Sequence, residues 1–153
     1  MKNVFEQLKQ LKTVELTNAN KEMLIALASN NPCLKALKVQ AGYNFNDETI
    51  YALSNKCPDL EELELNFCFL RKLEQVPVKF SFPKLKHLDI RLYTCYTYEA
   101  SAVEETVMGI IENLKCLRRF NLRGFYIGSE KVVIKDTLFQ RIWNQFPNIY
   151  FTY

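Results

Sequence analysis

The sequence predicts an α/β solenoid shaped as a horseshoe, with a parallel sheet on its concave face and helices on its convex face. One observation is a short phrase of alternating aliphatic residues, such as Leu60 to Leu65, that recurs along the chain. A second is a proline two residues before that phrase in four of its six copies. A third is the change in apolar spacing between copies, from two residues to three or four. Together these features are typical of a repeat architecture.

The predicted strands open at six aliphatic residues, separated by 23, 26, 25, 32 and 32 residues. These residues are Leu11, Leu34, Leu60, Leu85, Leu117 and Ile149. Because side chains alternate between the two faces of a strand, Leu63 and Leu65 are predicted to face one way and Glu62 and Glu64 the other. The two longest intervals predict inserted loops.

Four segments between the strands carry apolar residues three or four apart, as amphipathic helices do. They run from Asn20 to Leu27, from Asp47 to Leu53, from Val103 to Leu114 and from Lys131 to Phe146. Asn46 or Asp47 is predicted to cap the second helix. A further segment from Phe69 to Phe80 contains Pro77, which predicts a short or broken helix. Trp143, the single tryptophan, is predicted to pack in the core from the last helix.

One position recurs in the helices and supports the repeat. Leu27, Leu53, Ile110 and Ile142 each lie seven residues before the next opening aliphatic residue. This constant spacing predicts that an equivalent helix residue packs beneath each strand. It also predicts a connection of fixed length from helix to strand, stiffened by proline.

Alternating strands and helices with short connections predict parallel strands joined by right-handed crossovers. Since one unit cannot bury both its strand face and its helix face, neighbouring units must stack. A doubly wound sheet is the alternative that fits the same alternation, but it gives no reason for the phrase to recur. The prediction is a single domain over residues 1–153, with about five repeats and a partial terminal one. No terminal unit shows a polar outer face, so we expect a longer array or self-association through uncapped ends.

A resemblance to a known family is carried by the third unit. It reads Cys57-Pro-Asp-Leu60-Glu-Glu-Leu63-Glu-Leu65-Asn-Phe-Cys68. One cysteine before the strand phrase and another three residues after its last leucine resemble the cysteine-containing leucine-rich repeats of F-box/LRR proteins. The segment from Phe45 to Leu53 is similar to the later half of that pattern. The resemblance implies a leucine-rich-repeat domain that recognises a substrate or partner on its concave face and rims, although no F-box segment is recognisable in the sequence.

Composition and charge narrow the function classes. The chain has 48% hydrophobic and 24% charged residues, as a soluble globular protein does, and its net charge of +3 is too small to indicate a nucleic-acid partner. No apolar run of about 18 residues predicts a membrane span. Its five cysteines are odd in number and form no Cys-x-x-Cys pair, which indicates a reducing compartment rather than disulfides or zinc. We expect a cytoplasmic or nuclear protein with no cofactor, metal, nucleic-acid or membrane partner.

The predicted partner-binding surface consists of the residues that project from the concave face. They form three columns: Thr13, Ala36, Glu62, His87 and Arg119; then Glu15, Lys38, Glu64, Asp89 and Asn121; then Thr17, Gln40, Asn66, Arg91 and Arg123. Neighbouring strands lie about 4.8 Å apart, so the acidic pair of the third unit is predicted to couple to His87 and Asp89. The columns are interpreted either as a charged strip that orients a partner or as a solvated face.

Two clusters extend this surface. Tyr93, Tyr96 and Tyr98 lie where strands end and are predicted to contact a partner, the alternative being that they cover the edge of the core. The second cluster consists of three arginines, Arg91, Arg119 and Arg123. They are predicted either to bind a phosphate or acidic peptide or to pair with carboxylates of neighbouring strands.

We predict no catalytic activity. No positioned nucleophile accompanies His87, and nothing in the sequence indicates that Cys95 is activated. The predicted partner-binding residues are Glu62, Glu64, His87, Asp89, Arg91, Tyr93, Tyr96, Tyr98, Arg119 and Arg123. The predicted function is a non-catalytic protein–protein interaction module, and the resemblance implies substrate recognition for a ubiquitin ligase. The alternative is a constitutive scaffold or assembly subunit that uses the same face.

Overall fold

A computed structural model describes residues 8–41, 46–70, 80–94, 99–127, 130–132 and 136–153. Its elements are β1 (Thr13–Ala19), α1 (Lys21–Asn30), β2 (Ala36–Ala41), α2 (Asp47–Lys56), β3 (Glu62–Leu70), β4 (His87–Thr94), α3 (Ala100–Asn113), β5 (Arg119–Ile127), β6 (Glu130–Val132), α4 (Asp136–Gln145) and β7 (Tyr150–Thr152). The described elements confirm the predicted alternation of strands and helices.

The strands form one sheet in the order β1-β2-β3-β4-β5-β7, and these six strands are parallel. The short β6 pairs antiparallel with β5. A doubly wound sheet reverses its strand order at one point. The described strands follow the order of the chain without such a reversal, which argues against the doubly wound alternative.

Only one face of the sheet is apolar. On β4, Leu88, Ile90 and Leu92 are buried, whereas the side chains between them are partly exposed. Helix residues share the buried core with these strand residues, including Leu27, Leu53, Ile110 and Ile142. The prediction that these four helix positions pack beneath the strands is therefore confirmed. The helices cover the apolar face, and the opposite face carries the polar side chains.

The same four-residue turn leads into five of the six parallel strands. In each turn the amide of the opening aliphatic residue donates to the carbonyl three residues earlier, as Leu60 does to Cys57 at 3.2 Å. Proline occupies the second position in four of these turns and Lys115 in the fifth. Proline suits this position because its φ is already near −65°. The strands begin one or two residues after the opening aliphatics, later than the sequence analysis predicts, because those residues belong to the turn.

The first residue of the turn joins one unit to the next. Asn31 is buried, and its Oδ1 accepts a hydrogen bond of 2.7 Å from the Leu11 amide. Its Nδ2 donates to the Leu8 carbonyl at 2.9 Å and to the Leu27 carbonyl at 2.8 Å. In the next unit Cys57 takes this position, with its Sγ 3.8 Å from the Asn31 carbonyl oxygen. Burial raises the pKa of the Cys57 thiol to about 11, so the thiol is protonated at neutral pH.

Helix starts follow the predicted capping. Asn46 is the N-cap of α2, and its Oδ1 accepts from the Thr49 amide at 3.1 Å. Asn20, which the sequence analysis places inside the first helix, instead caps α1 and accepts from the Met23 amide at 2.8 Å. Asparagine favours the cap because its oxygen binds an amide that has no partner within the helix.

Three sequence predictions differ from the structure. Phe69 and Leu70 extend β3 rather than starting a broken helix, and residues 71–79 of that segment lie outside the described residues. The first two residues of the predicted last helix, at positions 131–132, pair with β5 in β6. Trp143 is 65% exposed rather than in the core. It lies about 100° around α4 from the buried Ile142, on the outer side of the helix, and stacks on Phe139.

The hydrogen bonds of Asn31 generate a stability prediction. Asn31→Ala removes the partner of the Leu11 amide, and a polar group left without its partner destabilises the fold by about 1 to 3 kcal/mol. We expect a loss of that size in urea unfolding. Asn113→Ala is the matched control, because Asn113 is exposed at the end of α3 and donates only to the Gly109 carbonyl of its own helix. Equal losses for the two variants would contradict the role of Asn31.

Candidate partner-binding surface

The polar face carries two continuous rows of side chains that run across the strands. The strand register aligns the first row as Thr13, Ala36, Glu62, His87, Arg119 and Tyr150. It aligns the second row as Glu15, Lys38, Glu64, Asp89, Asn121 and Thr152. The first two predicted columns are therefore confirmed. β7 adds Tyr150 and Thr152, which the sequence analysis missed although they follow Ile149 with the same alternation.

The third predicted column is confirmed from Thr17 to Asn66 and is wrong beyond β3, because the register also shifts between Leu65 and Cys68. Arg91 pairs with Gly124 rather than with Arg123, because the register shifts by one residue after Ile90. Gly124 has a φ of +144°, a conformation that glycine adopts without strain. A Cβ added there would lie 2.8 Å from Cε2 of Tyr126. This β-bulge inserts one residue into β5 and leaves Arg123 without a register partner on β4.

Arg123 lies at the centre of an ion-pair network on the second row. Its Nε is 2.6 Å from Oδ1 of Asp89, and its Nη2 is 2.9 Å from Oδ2 of the same carboxylate. Nη2 also donates to Oε1 of Glu64 at 2.7 Å, and Nη1 donates to Oδ1 of Asn66 at 3.2 Å. The hydrogen bond to Asp89, followed by the attraction of both carboxylates, raises the pKa of Arg123. For this arginine the structure favours the ion-pair interpretation over the anion site.

The network continues along the second row in both directions. Asn121 donates through Nδ2 to Oδ2 of Asp89 at 2.9 Å, and the Thr152 hydroxyl donates to Oδ1 of Asn121 at 3.0 Å. On the other side, Nζ of Lys38 lies 3.6 Å from Oε2 of Glu64. The second row is therefore connected by polar contacts from β2 to β7. Because the side chains of Glu64 and Asp89 are each 25% exposed, less than those of Glu62 and His87, we call this row the floor of the polar face.

The first row is more accessible. The side chains of Glu62 and His87 are 57% and 42% exposed, with Oε1 of Glu62 3.4 Å from Nδ1 of His87. Arg119 is exposed and forms no ion pair among the described residues. Tyr150 is 67% exposed at the end of the row. An approaching molecule thus meets an acidic group, an imidazole, a guanidinium and an aromatic ring in that order.

A groove runs along both rows of the polar face. Its volume is about 420 Å³, and its lining extends from Thr13 on β1 to Tyr150 and Thr152 on β7. Glu62, His87 and Arg119 line it on the first row, and Glu64 and Asp89 line it on the second. The groove therefore brings the first-row members of the predicted site together.

A ladder of ion pairs borders the groove where the strands begin. Glu61 binds Lys35 through Oε1 and Lys86 through Oε2, and Lys84 binds Asp59. Hydrogen bonds from Lys86 and Lys35 lower the pKa of Glu61 to about 2. Because this pKa lies below its ordinary value of 4.5, the stabilisation is present above pH 4.5 and is lost as the pH falls toward 2. Solvent screens such exposed pairs, so each contributes little at neutral pH.

The aromatic part of the predicted site is described only at Tyr93. Its ring stacks on Tyr126 with centroids 4.6 Å apart, and Cζ of Arg91 lies 6.0 Å from the Tyr126 ring centroid. Cys95, Tyr96 and Tyr98 lie outside the described residues. Tyr126 was not among the predicted residues, because its distance in sequence from Tyr93 hides the cross-strand pairing.

Two further findings bear on the class of site. Within the described ranges, no group of three histidine, cysteine, aspartate or glutamate residues is placed to hold a metal ion. In the same part of the chain, no helix combines the length and apolarity that crossing a bilayer requires.

Comparison with protein-family models and with curated proteins finds no match for this chain.

The network around Arg123 generates a second stability prediction. Arg123→Ala leaves Glu64 and Asp89, each 25% exposed, without the cation they share. We expect a loss of about 1 to 2 kcal/mol in the free energy of unfolding, the lower part of the range for charge-assisted hydrogen bonds, because solvent screens the site partly. Arg119→Ala is the matched control on the same strand and should change stability by less than about 0.5 kcal/mol. A loss from Arg119→Ala as large as that from Arg123→Ala would contradict the network.

Proposed function

We propose that this chain is a non-catalytic protein-binding module built as a leucine-rich-repeat solenoid, with the polar sheet face as its concave binding surface. Units in sequential order, a shared strand register and helices on one side support this architecture. The resemblance of the third unit to the repeats of F-box/LRR proteins extends the proposal to substrate recognition for a ubiquitin ligase.

One observation carries the proposal: accessible charges stand beside charges that are already paired. On the second row, Arg123 binds Glu64 and Asp89, which fixes the floor of the groove. On the first row, Glu62 and Arg119 stay available to a partner. A rigid floor beneath accessible charges suits recognition, since less conformational freedom is lost when the partner binds.

The test is capture from an extract of cells that express the chain. The double variant Glu62→Lys, Arg119→Glu reverses the first row without changing net charge. Glu22→Lys with Lys115→Glu is the matched control, because both residues are exposed outside the polar face. We expect a protein that is retained by the wild type and the control and is lost, or reduced about tenfold, by the first-row variant.

Two outcomes would contradict the proposal. One is that both double variants retain the same proteins as the wild type. The other is that the immobilised wild type retains no protein in stoichiometric amount. Recovery of a ubiquitin-ligase adaptor along with the partner would support the ligase form of the proposal.

A specific observation favours a second candidate, a scaffold that self-associates through the β7 edge. Four large side chains are exposed around α4 and β7: Phe139, Trp143, Tyr150 and Tyr153. The Phe139 ring lies 6.3 Å from Trp143 and 6.2 Å from Tyr153, so three of them form one aromatic patch. Among the described strands, β7 pairs with β5 alone, which leaves its other edge available.

Light scattering at increasing concentration tests this candidate. We expect the wild-type mass to double and Trp143→Lys to remain monomeric, since a charge within the patch opposes its burial. Tyr51→Lys is the matched control, because Tyr51 is an aromatic residue of α2 that is half exposed. It should dimerise like the wild type. A wild type that is monomeric at every concentration would rule this candidate out.

A further inference from the structure

We infer that the first row binds an extended polyproline II segment that carries a basic and an acidic residue three positions apart. The inference rests on the proposed function and specifies the chemistry of the partner. The three groups that define the site are the Glu62 carboxylate, the Arg119 guanidinium and the Tyr150 ring.

Charge complementarity sets the two ends of the segment. Glu62 on β3 is 57% exposed, and its contact with His87 leaves the carboxylate accessible to a cation. Arg119 on β5 is exposed and has no ion-pair partner among the described residues. A bound segment therefore gains most when a basic residue lies over β3 and an acidic residue over β5.

The spacing of the strands selects the conformation. Glu62 and Arg119 are two strands apart in one register, which corresponds to about 9.6 Å at 4.8 Å per strand. In a polyproline II helix, residues i and i+3 lie on the same side about 9.3 Å apart. In a β-strand, same-side residues are about 6.6 Å or 13 Å apart. Only the polyproline II spacing of about 9.3 Å is close to the distance of about 9.6 Å between the positions of Glu62 and Arg119.

The size of the groove supports a single extended chain. Its volume of about 420 Å³ spreads over six strands, a distance of about 24 Å at five spacings of 4.8 Å. The groove is therefore long relative to its volume, a shape that a slender extended segment matches.

Tyr150 adds a reason to expect proline in the segment. It follows Arg119 in the row, and its ring is 67% exposed. Polyproline II ligands pack their proline rings on exposed aromatic side chains in grooves. We therefore expect prolines next to the acidic residue, over Tyr150.

The probes are fluorescent proline-rich peptides measured by anisotropy against the whole chain. One contains Lys-Pro-Pro-Glu followed by two prolines that reach Tyr150, and two others separate the lysine and glutamate by one or by three prolines. We expect the two-proline spacing to bind about twofold to fivefold more tightly than the other two, which corresponds to roughly one exposed ion pair. Tyr150→Ala should weaken this binding without changing the preferred spacing.

A charge swap provides the decisive control. Glu62→Lys should bind a Glu-Pro-Pro-Glu peptide in preference to Lys-Pro-Pro-Glu, whereas the wild type and Glu22→Lys should show the opposite preference. Equal affinity for all three spacings, or an unchanged preference in Glu62→Lys, would overturn the inference. If the first-row double variant still loses its captured protein in that case, the proposed function stands and only the polyproline II assignment fails.

Discussion

The polar face exists in its present form because the parallel strands share one register before their bulges. At the start of the sheet, the Glu61 amide donates to the Lys35 carbonyl at 2.8 Å, and the Lys86 amide donates to the Glu61 carbonyl at 2.8 Å. A four-residue turn precedes five of these strands. Because its length is the same each time, it holds the ladder in place. A slip of one residue would exchange the apolar and polar faces of a strand. Both rows of the polar face therefore depend on the turn.

The two rows of the polar face differ in whether their charged groups are already bound in a network. Arg123 lies at the bulge of β5, where it binds carboxylates from two neighbouring strands. Without that cation, Glu64 and Asp89 would repel each other across a short distance. The first row carries Glu62 next to His87 and has no comparable network. Its charged groups are thus the ones that a partner can engage without breaking a network of ion pairs.

Features with a constant spacing were predictable from the sequence. The opening aliphatic residues fix where each strand lies, so alternation by two is enough to place Glu62, His87 and Arg119 in one row. The bulge at Arg123 was not predictable in this way, because a period of two assumes that no residue is inserted. The exposure of Trp143 was also not predictable, since apolar residues three or four apart indicate a helix but not where its buried side ends. Both errors concern contacts that only the assembled units determine.

The order of charges matters more than their sum for the proposed function. A net charge of +3 gives little attraction toward any class of polyanion. Along the first row, however, an acidic group precedes a basic one at a distance fixed by the backbone, and such an arrangement distinguishes partners by charge spacing. A partner with the right charges at the wrong spacing leaves one charge unpaired, which penalises its binding. Selectivity can therefore arise here from strand geometry alone, in a protein whose overall charge and composition are ordinary.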